Sequence, residues 1–368
     1  MAARTACLAC FADGRSGADA FSLQPVLALA SRTVQLLRTK MPRLLRLRSA
    51  WGLSHLASGN RRPVFATLRD AGWDGVEASL DDLGTSAAER RDAVAAARAE
   101  DMSLIISAYS SWKNYDGPHE SVSVAQHADA MARELAEIAE LHAGEGAVSP
   151  ILRVNAHSGT DAWSEAEAID YFEATLGASR ALGAALPETS HETHRGRYLC
   201  CPFATARLLA RVPAVRLTSD LSHWVVKCER LLDTPDEAAF LAEAIAPAVD
   251  HLHARCGTPQ APQVASVHAR GVQRAVARHH DWWATVWSVR EAASISGRGA
   301  RLTATIEYGP VERAADDGEY VGYTPADLDA APVAGVGLDE TLAEARDALT
   351  RRFEAWHGEE AARRRGGW

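Results

Sequence analysis

From residue 44 onward, short apolar runs ending in polar residues alternate with longer stretches of helical character, and the alternation occurs eight times. The runs predict strands at Leu44–Ala50, Gly75–Ala78, Leu104–Ala108, Ile151–Ala156, Thr189–Thr193, Ala214–Asp220, Val249–Ala254 and Leu302–Glu307. Most are nearly continuous in apolar residues, as strands covered on both faces should be. Helix starts between them are marked by Ser86 with Glu89, Ser164 with Glu167, and Thr234 with Glu237. In each pair the hydroxyl can take an orphan backbone N–H while the glutamate reaches back. Asn60 with Pro63 opens an earlier helix, and Gly72 suits its left-handed end. Ala-rich stretches at 86–100, 124–143 and 164–185 supply strong helix formers.

Strands separated by crossover helices imply a parallel sheet with right-handed connections. Eight such units predict one α/β domain, a (β/α)8 TIM barrel. A chain of 368 residues holds one barrel of about 250 residues with extensions more readily than two stacked domains. The barrel is expected over 41–357, with a solvated basic tail at 358–368. Residues 1–40 stand apart, with Arg4, Arg15, Arg32, Arg38 and Lys40 against Asp13 and Asp19. They read either as an organelle transit segment or as an over-extended start ahead of Met41. Import into an organelle follows from the first reading, and a cytoplasmic protein from the second.

The net charge of -9 argues against a nucleic-acid surface, so no nucleic-acid partner is expected. No apolar run reaches the roughly 20 residues that span a bilayer, so no membrane partner is expected either. The six cysteines, at 7, 10, 200, 201, 228 and 256, read as reduced thiols. Cys7 and Cys10 have no second pair to complete a zinc site.

In a barrel of this kind chemistry belongs at the C-terminal ends of the strands. Those ends read Asn155-Ala156-His157, His191-Glu192-Thr193-His194, Asp220-Leu221-Ser222-His223, His251-Leu252-His253-Ala254-Arg255 and Ile306-Glu307-Tyr308. Two glutamates, an aspartate and several histidines therefore converge on one rim. Oxygen donors with one or two imidazoles suit a single divalent ion, Mn²⁺, Mg²⁺, Co²⁺ or Zn²⁺. His251 and His253 share one strand face, so either can be the imidazole donor; Glu77, ending strand two, reads as structural or substrate-contacting. Arg195, Arg197 and Arg255 are donors for an anionic group on a substrate. Trp51, Trp112 and Trp224 follow strand ends and can stack on a sugar ring or pack. Trp282, Trp283 and Trp287, at helical spacing, predict a buried helix face. The segment Gly257–Arg278 predicts a loop over the pocket.

The order Glu192, Asp220-x-x-His223, His253, Glu307 on strands five to eight resembles the xylose isomerase-like superfamily over about residues 42–310. That superfamily holds sugar isomerases, ketose 3-epimerases of the tagatose/psicose type, inosose dehydratases and TIM-barrel AP endonucleases. The stretch His191–Leu232 resembles its sugar phosphate isomerase/epimerases. The resemblance implies Glu192, Asp220, His253 and Glu307 as metal ligands, with Glu192 and Glu307 also catalytic. It implies a sugar or sugar phosphate substrate contacted by His223; Arg255, His157, His194, Arg195 and Trp224 are further substrate-binding candidates by their own chemistry at the strand ends. The implied activity is isomerisation or epimerisation by proton abstraction through a metal-stabilised enediolate. A dehydratase is an alternative on the same scaffold. So is a phosphoester hydrolase of the AP-endonuclease type, although Glu77 stands where that chemistry expects a histidine, and the loop after His253 lacks its aspartate motif. Pairing of two chains through outer helices is a further expectation.

Overall fold

The computed structural model describes residues 42–53, 56, 61–111, 121–144, 148–295, 301–309 and 337–366. Eight parallel strands, β1 to β8, close into a barrel in sequence order. They are Leu44–Ser49, Gly75–Ser79, Ser103–Tyr109, Ile151–His157, Glu188–Glu192, Leu217–Ser219, Val249–His253 and Leu302–Ile306. β1 pairs with β8 through Leu44 to Leu302 and onward to Arg48 and Ile306, which removes both sheet edges. The strand pattern of the sequence matches this order. β6 is shorter than expected because Pro213 holds residues 213–214 in a turn, and its pairing with β7 shifts between Leu217 and Thr218.

The helices begin where the sequence marks them. Ser86, Ser164 and Thr234 each cap a helix with the reciprocal glutamate contact. The helix Arg62–Asp70 starts at Arg61 with no side-chain cap and carries Pro63 in its first turn. Gly72 follows it at φ +88°, where a Cβ would be strained. Asn60, Trp112, the extension 1–40 and most of the segments 110–118 and 309–323 lie outside the described residues. The expected tail does not begin at 358. The helix Leu338–Gly366 runs through it, anchored by buried Trp356, whose indole N–H donates to Ser288 at 2.9 Å. Beyond Trp356, Arg363 pairs with Glu360 one turn back.

The apolar core is the shell between the barrel and the helices, where Phe65, Leu104, Ile106, Tyr171, Phe172, Trp282, Trp283 and Trp287 are buried. The inside of the barrel is different. Successive strand side chains point to opposite faces, and the inward set includes Glu77, Ser107, Asn155, Ser190, Glu192, Thr218, His251, His253 and Thr305, all buried. Buried polar groups require partners. Here they find one another: Ser190 meets Thr218 at 2.7 Å and Thr305 donates to Glu77 at 2.5 Å. The interior is a hydrogen-bonded stack feeding the strands' C-terminal ends. No helix of the described residues is long and apolar enough to cross a membrane.

One glycine permits the close approach of β2 to its neighbours. A Cβ on Gly75 would sit 2.4 Å from the Ser103 carbonyl oxygen and 3.1 Å from a Leu47 methyl carbon. That oxygen is backbone and cannot step aside. Gly75→Ala is therefore expected to destabilise the protein by about 1–3 kcal/mol, the usual range for overpacking, read as a lowered chemical-denaturation midpoint at unchanged slope.

Candidate metal centre

At the C-terminal end of the barrel, Glu192, Asp220, His253 and Glu307 each bring one donor atom within 4.8 Å of the other three. They arrive from the ends of β5, β6, β7 and β8. Glu192 closes β5, and Asp220 follows β6 and caps the helix Leu221–Lys227 through the Ser222 N–H. His253 closes β7, and Glu307 follows β8. The first three are buried, and Glu307 retains 16% side-chain exposure.

His253 is gripped from below. Its Nε2 lies 3.0 and 3.1 Å from the two oxygens of Glu77, while Nδ1 faces Glu307 at 3.1 Å and Glu192 at 3.6 Å. A carboxylate on Nε2 fixes the ring so that Nδ1 is the nitrogen presented upward. Asn155 ties the same groups together, donating to Glu77 at 2.8 Å and Glu192 at 2.9 Å. His251 sits one layer deeper, against Thr303 at 2.8 Å and Thr305 at 3.0 Å. The two histidines therefore share a face, and His253 is the one beside the rim carboxylates.

Arg255 and His223 form the opposite wall. One Nη2 of Arg255 donates to Asp220 at 2.6 Å and to His223 Nε2 at 2.6 Å, and lies 3.5 Å from Glu307. Receiving that bond at Nε2, a neutral His223 carries its proton on Nδ1, which is buried and has no hydrogen-bond partner. Across the site, His157 Nε2 lies 3.0 Å from Glu192, and its own Nδ1 is likewise without a partner. Tyr109 stacks on that ring at 4.4 Å. His194 packs between the two, 3.9 Å from the His223 ring and 5.6 Å from that of His157. Glu192, His194 and His223 also form a second group of donors within 4.8 Å.

Burial raises the cost of every charge here, and the balance differs by residue. It pushes the Asp220 carboxyl up despite the neighbouring Arg255. For Glu192 burial acts upward too, but His157 and His253 outweigh it and hold the carboxyl well below its usual range. Burial pushes His157 itself down, and takes His194 down to about 3. Burial opposes charge on His253 as well, and Glu77, Glu192 and Glu307 overcome it, raising the ring well above the ordinary histidine value. Glu307 is held low by Arg255 and His253 against the pull of burial.

The residues suit a divalent cation. Glu77, Glu192, Asp220 and Glu307 set four carboxyl groups against two cationic partners, Arg255 and His253. Such an excess of buried negative charge is costly without a further positive charge. Glu192 Oε1 and Asn155 Oδ1 are buried without hydrogen-bond partners, and the donors are hard oxygens with one imidazole nitrogen.

The remaining candidates fall elsewhere. Arg197 is fully buried and its Nη1 donates to the Ser111 carbonyl at 2.7 Å, so it tethers loops rather than waiting for an anion. Arg195 is half-buried beside His194 on the loop after β5. Trp224 belongs to the apolar core, with its indole N–H on the Leu199 carbonyl at 2.8 Å; it packs and offers no free face to a sugar. Trp51 lies over Gly309, where any Cβ would meet its ring at 2.4 Å. The loop after β7 folds against the end of β8: Gln263 donates to the Gly309 carbonyl at 3.2 Å and accepts its N–H at 2.9 Å. Asn155 and Glu77 are the site residues that sequence reasoning undervalued. Their position at inward-facing strand sites was visible, but nothing in the sequence shows the contact with His253.

Because Glu77 orients His253, Glu77→Gln is expected to weaken divalent-metal affinity roughly 10- to 100-fold, as loss of such outer partners does, measured by calorimetric titration with Mn²⁺. No protein-family model matches the sequence, and no curated protein matches it. Solved structures do. A xylose isomerase-like TIM barrel protein from Mycobacterium smegmatis in complex with magnesium is similar at TM-score 0.53 and 13% identity, covering 86% of this chain and 98% of that one. D-psicose 3-epimerase with D-tagatose, from Clostridium cellulolyticum H10, is similar at TM-score 0.52 and 12% identity, covering 84% and 98%. An L-ribulose 3-epimerase gives TM-score 0.51 at 13% identity over 88% and 98%. The likeness is one of architecture, and with the closed parallel barrel it identifies the fold of this chain as a (β/α)8 TIM barrel similar to that of these xylose isomerase-like structures.

Proposed function

We propose that the protein is a divalent-metal-dependent isomerase or epimerase of a sugar or sugar phosphate, working by proton transfer at a carbon beside a carbonyl. The observation that carries this reading is the meeting of Glu192 and Glu307, with Asp220 and His253, around one buried point. Glu192, Asp220, His253 and Glu307 would hold the metal. When bound, the ion would supply Lewis-acid stabilisation of the negative charge that develops on the substrate oxygens.

The chain's own residues divide the remaining work. Glu192 is kept ionised, with Oε2 engaged by His157 and Asn155 and Oε1 without a hydrogen-bond partner. It is thus a carboxylate ready to accept a proton. Glu307, on the adjoining wall beside His253 and Arg255, can hold or return one. His223 offers a buried Nδ1–H to a substrate oxygen, and Arg255 adds positive charge beside it. His157, whose Nε2 serves Glu192, presents Nδ1 as an acceptor for a substrate hydroxyl. Enclosure of these groups within the rim keeps bulk water from screening them. The solved epimerases whose fold this chain shares act on ketoses, in keeping with that substrate class.

A second reading rests on the second donor group. Glu192, His194 and His223 could hold another ion, with Glu192 shared, and a multi-metal site suits phosphoester hydrolysis of the AP-endonuclease type. Metal analysis separates the two: one ion per chain supports the isomerase, three the hydrolase. A dehydratase shares the first proton-transfer step and differs in the hydroxyl that leaves.

Purified protein with Mn²⁺ is expected to exchange the substrate α-proton with solvent deuterium, followed by NMR across a panel of ketoses and their phosphates; absence of exchange throughout the panel overturns the reading. Glu192→Gln and Glu307→Gln should each lower kcat by about 10²–10⁴-fold, the usual worth of a positioned acid or base, with the circular dichroism spectrum unchanged. Removal of the metal by chelation should abolish exchange and lower the thermal midpoint, and Mn²⁺ should restore both.

A further inference from the structure

The opposite end of the barrel holds a charged cavity that the proposed chemistry does not use. Where the strands begin, a cavity of about 790 Å³ is lined by Arg153, Arg216, Arg290 and Arg301 together with Glu188 and Asp250. Four guanidinium groups thus face two carboxylates, on a protein whose net charge is -9. The volume falls in the range of small-molecule sites.

The internal pairing leaves part of this positive charge unused. Arg216 grips Asp250 with two bonds, at 2.9 and 2.6 Å, and Arg290 donates to the same carboxylate. Arg153 is only 5% exposed. Its Nη2 donates to Glu188 at 2.8 Å, but Nη1 lies 3.6 Å from Asp250, and both Nη1 and Nε have no hydrogen-bond partner. A buried guanidinium with two idle donors is costly unless an acceptor arrives. Burial pushes its pKa down against the pull of Asp250 and Glu188. Arg301 stands exposed at the margin of the same cavity.

We propose that this basal cavity binds a small polyanion of the phosphate-ester or pyrophosphate class, with Arg153 as the buried anchor and Arg301 at the entrance. Planar guanidinium groups are the side chains best matched to phosphate oxygens. Net positive charge lets the cavity take a dianion without breaking the Arg216–Asp250 pair. The site lies roughly a strand length, about 15 Å, from the metal centre. Its ligand therefore does not reach the reacting atoms, and its effect is on stability or on the barrel's polar interior.

The test uses the full chain treated with EDTA, so that the probe cannot chelate an ion at the other end. Inorganic pyrophosphate is titrated by calorimetry at constant ionic strength, with thermal unfolding followed in parallel. Saturable one-to-one binding and a rise in the thermal midpoint are expected. Arg301→Ala and Arg153→Gln should each weaken binding roughly tenfold or more, as loss of one charge-assisted contact does. Glu307→Gln, at the far end of the barrel, should leave it unchanged. Exposed Arg301 makes no hydrogen bond on which folding depends among the contacts described, so that variant carries the test if Arg153→Gln does not fold. No saturable binding in the millimolar range, or binding indifferent to Arg301→Ala, would show a purely structural ion-pair network and overturn the proposal.

Discussion

The geometry of the rim depends on one contact, the closure of the Glu77 carboxylate around His253 Nε2. A carboxylate this deep is tolerated only because the imidazole above it, Ser107, Asn155 and Thr305 surround it with donors. The same contact decides which nitrogen of His253 faces upward, and so what Glu192 and Glu307 meet. Removing Glu77 would leave Asn155, Thr305 and both histidines of β7 without their common partner. The polar interior is therefore one unit, in which the alignment of the rim is inherited from the layer beneath it.

The interior also explains how this barrel differs from one filled with branched apolar residues. Stability comes from the outer shell, where Phe65, Tyr171, Phe172 and the tryptophans of the helix Gln273–Ile295 bury their rings. That division leaves the inside free to carry charge. At one end the excess is negative, around Glu192, Asp220 and Glu307; at the other it is positive, around Arg153, Arg216 and Arg290. The low-dielectric shell strengthens both fields relative to the same groups in water.

Much of the architecture was legible in the chain because the signals are local. Eight apolar runs, three capping boxes and Gly72 each specify conformation through neighbours in sequence, and each appears where expected apart from the shortened β6. The meeting of Glu192, Asp220, His253 and Glu307 was also legible, since strand ends share a rim once the barrel is assumed. What could not be read were contacts between strands with no fixed sequence spacing. Glu77 and His253 are separated by 176 positions, and nothing near either one announces the other. Trp224 misled for a related reason. It follows a strand end, but its place in the helix Leu221–Lys227 turns the indole into the core, where the Leu199 carbonyl holds it. The basic end of the chain suggested a solvated tail, whereas Trp356 docks the helix that carries it.

The exchange of two hydrogen bonds between the Gln263 amide and the Gly309 backbone joins the loops that follow β7 and β8. Loops on a barrel rim are usually free to diverge one at a time, each reshaping its own sector. Here the first residues after β8 are tied to the loop after β7 by the Gln263 side chain, so a shift in one would be transmitted to the other. The strand ends on that side of the barrel are accordingly held as a pair, and loss of the Gln263 amide would free both together.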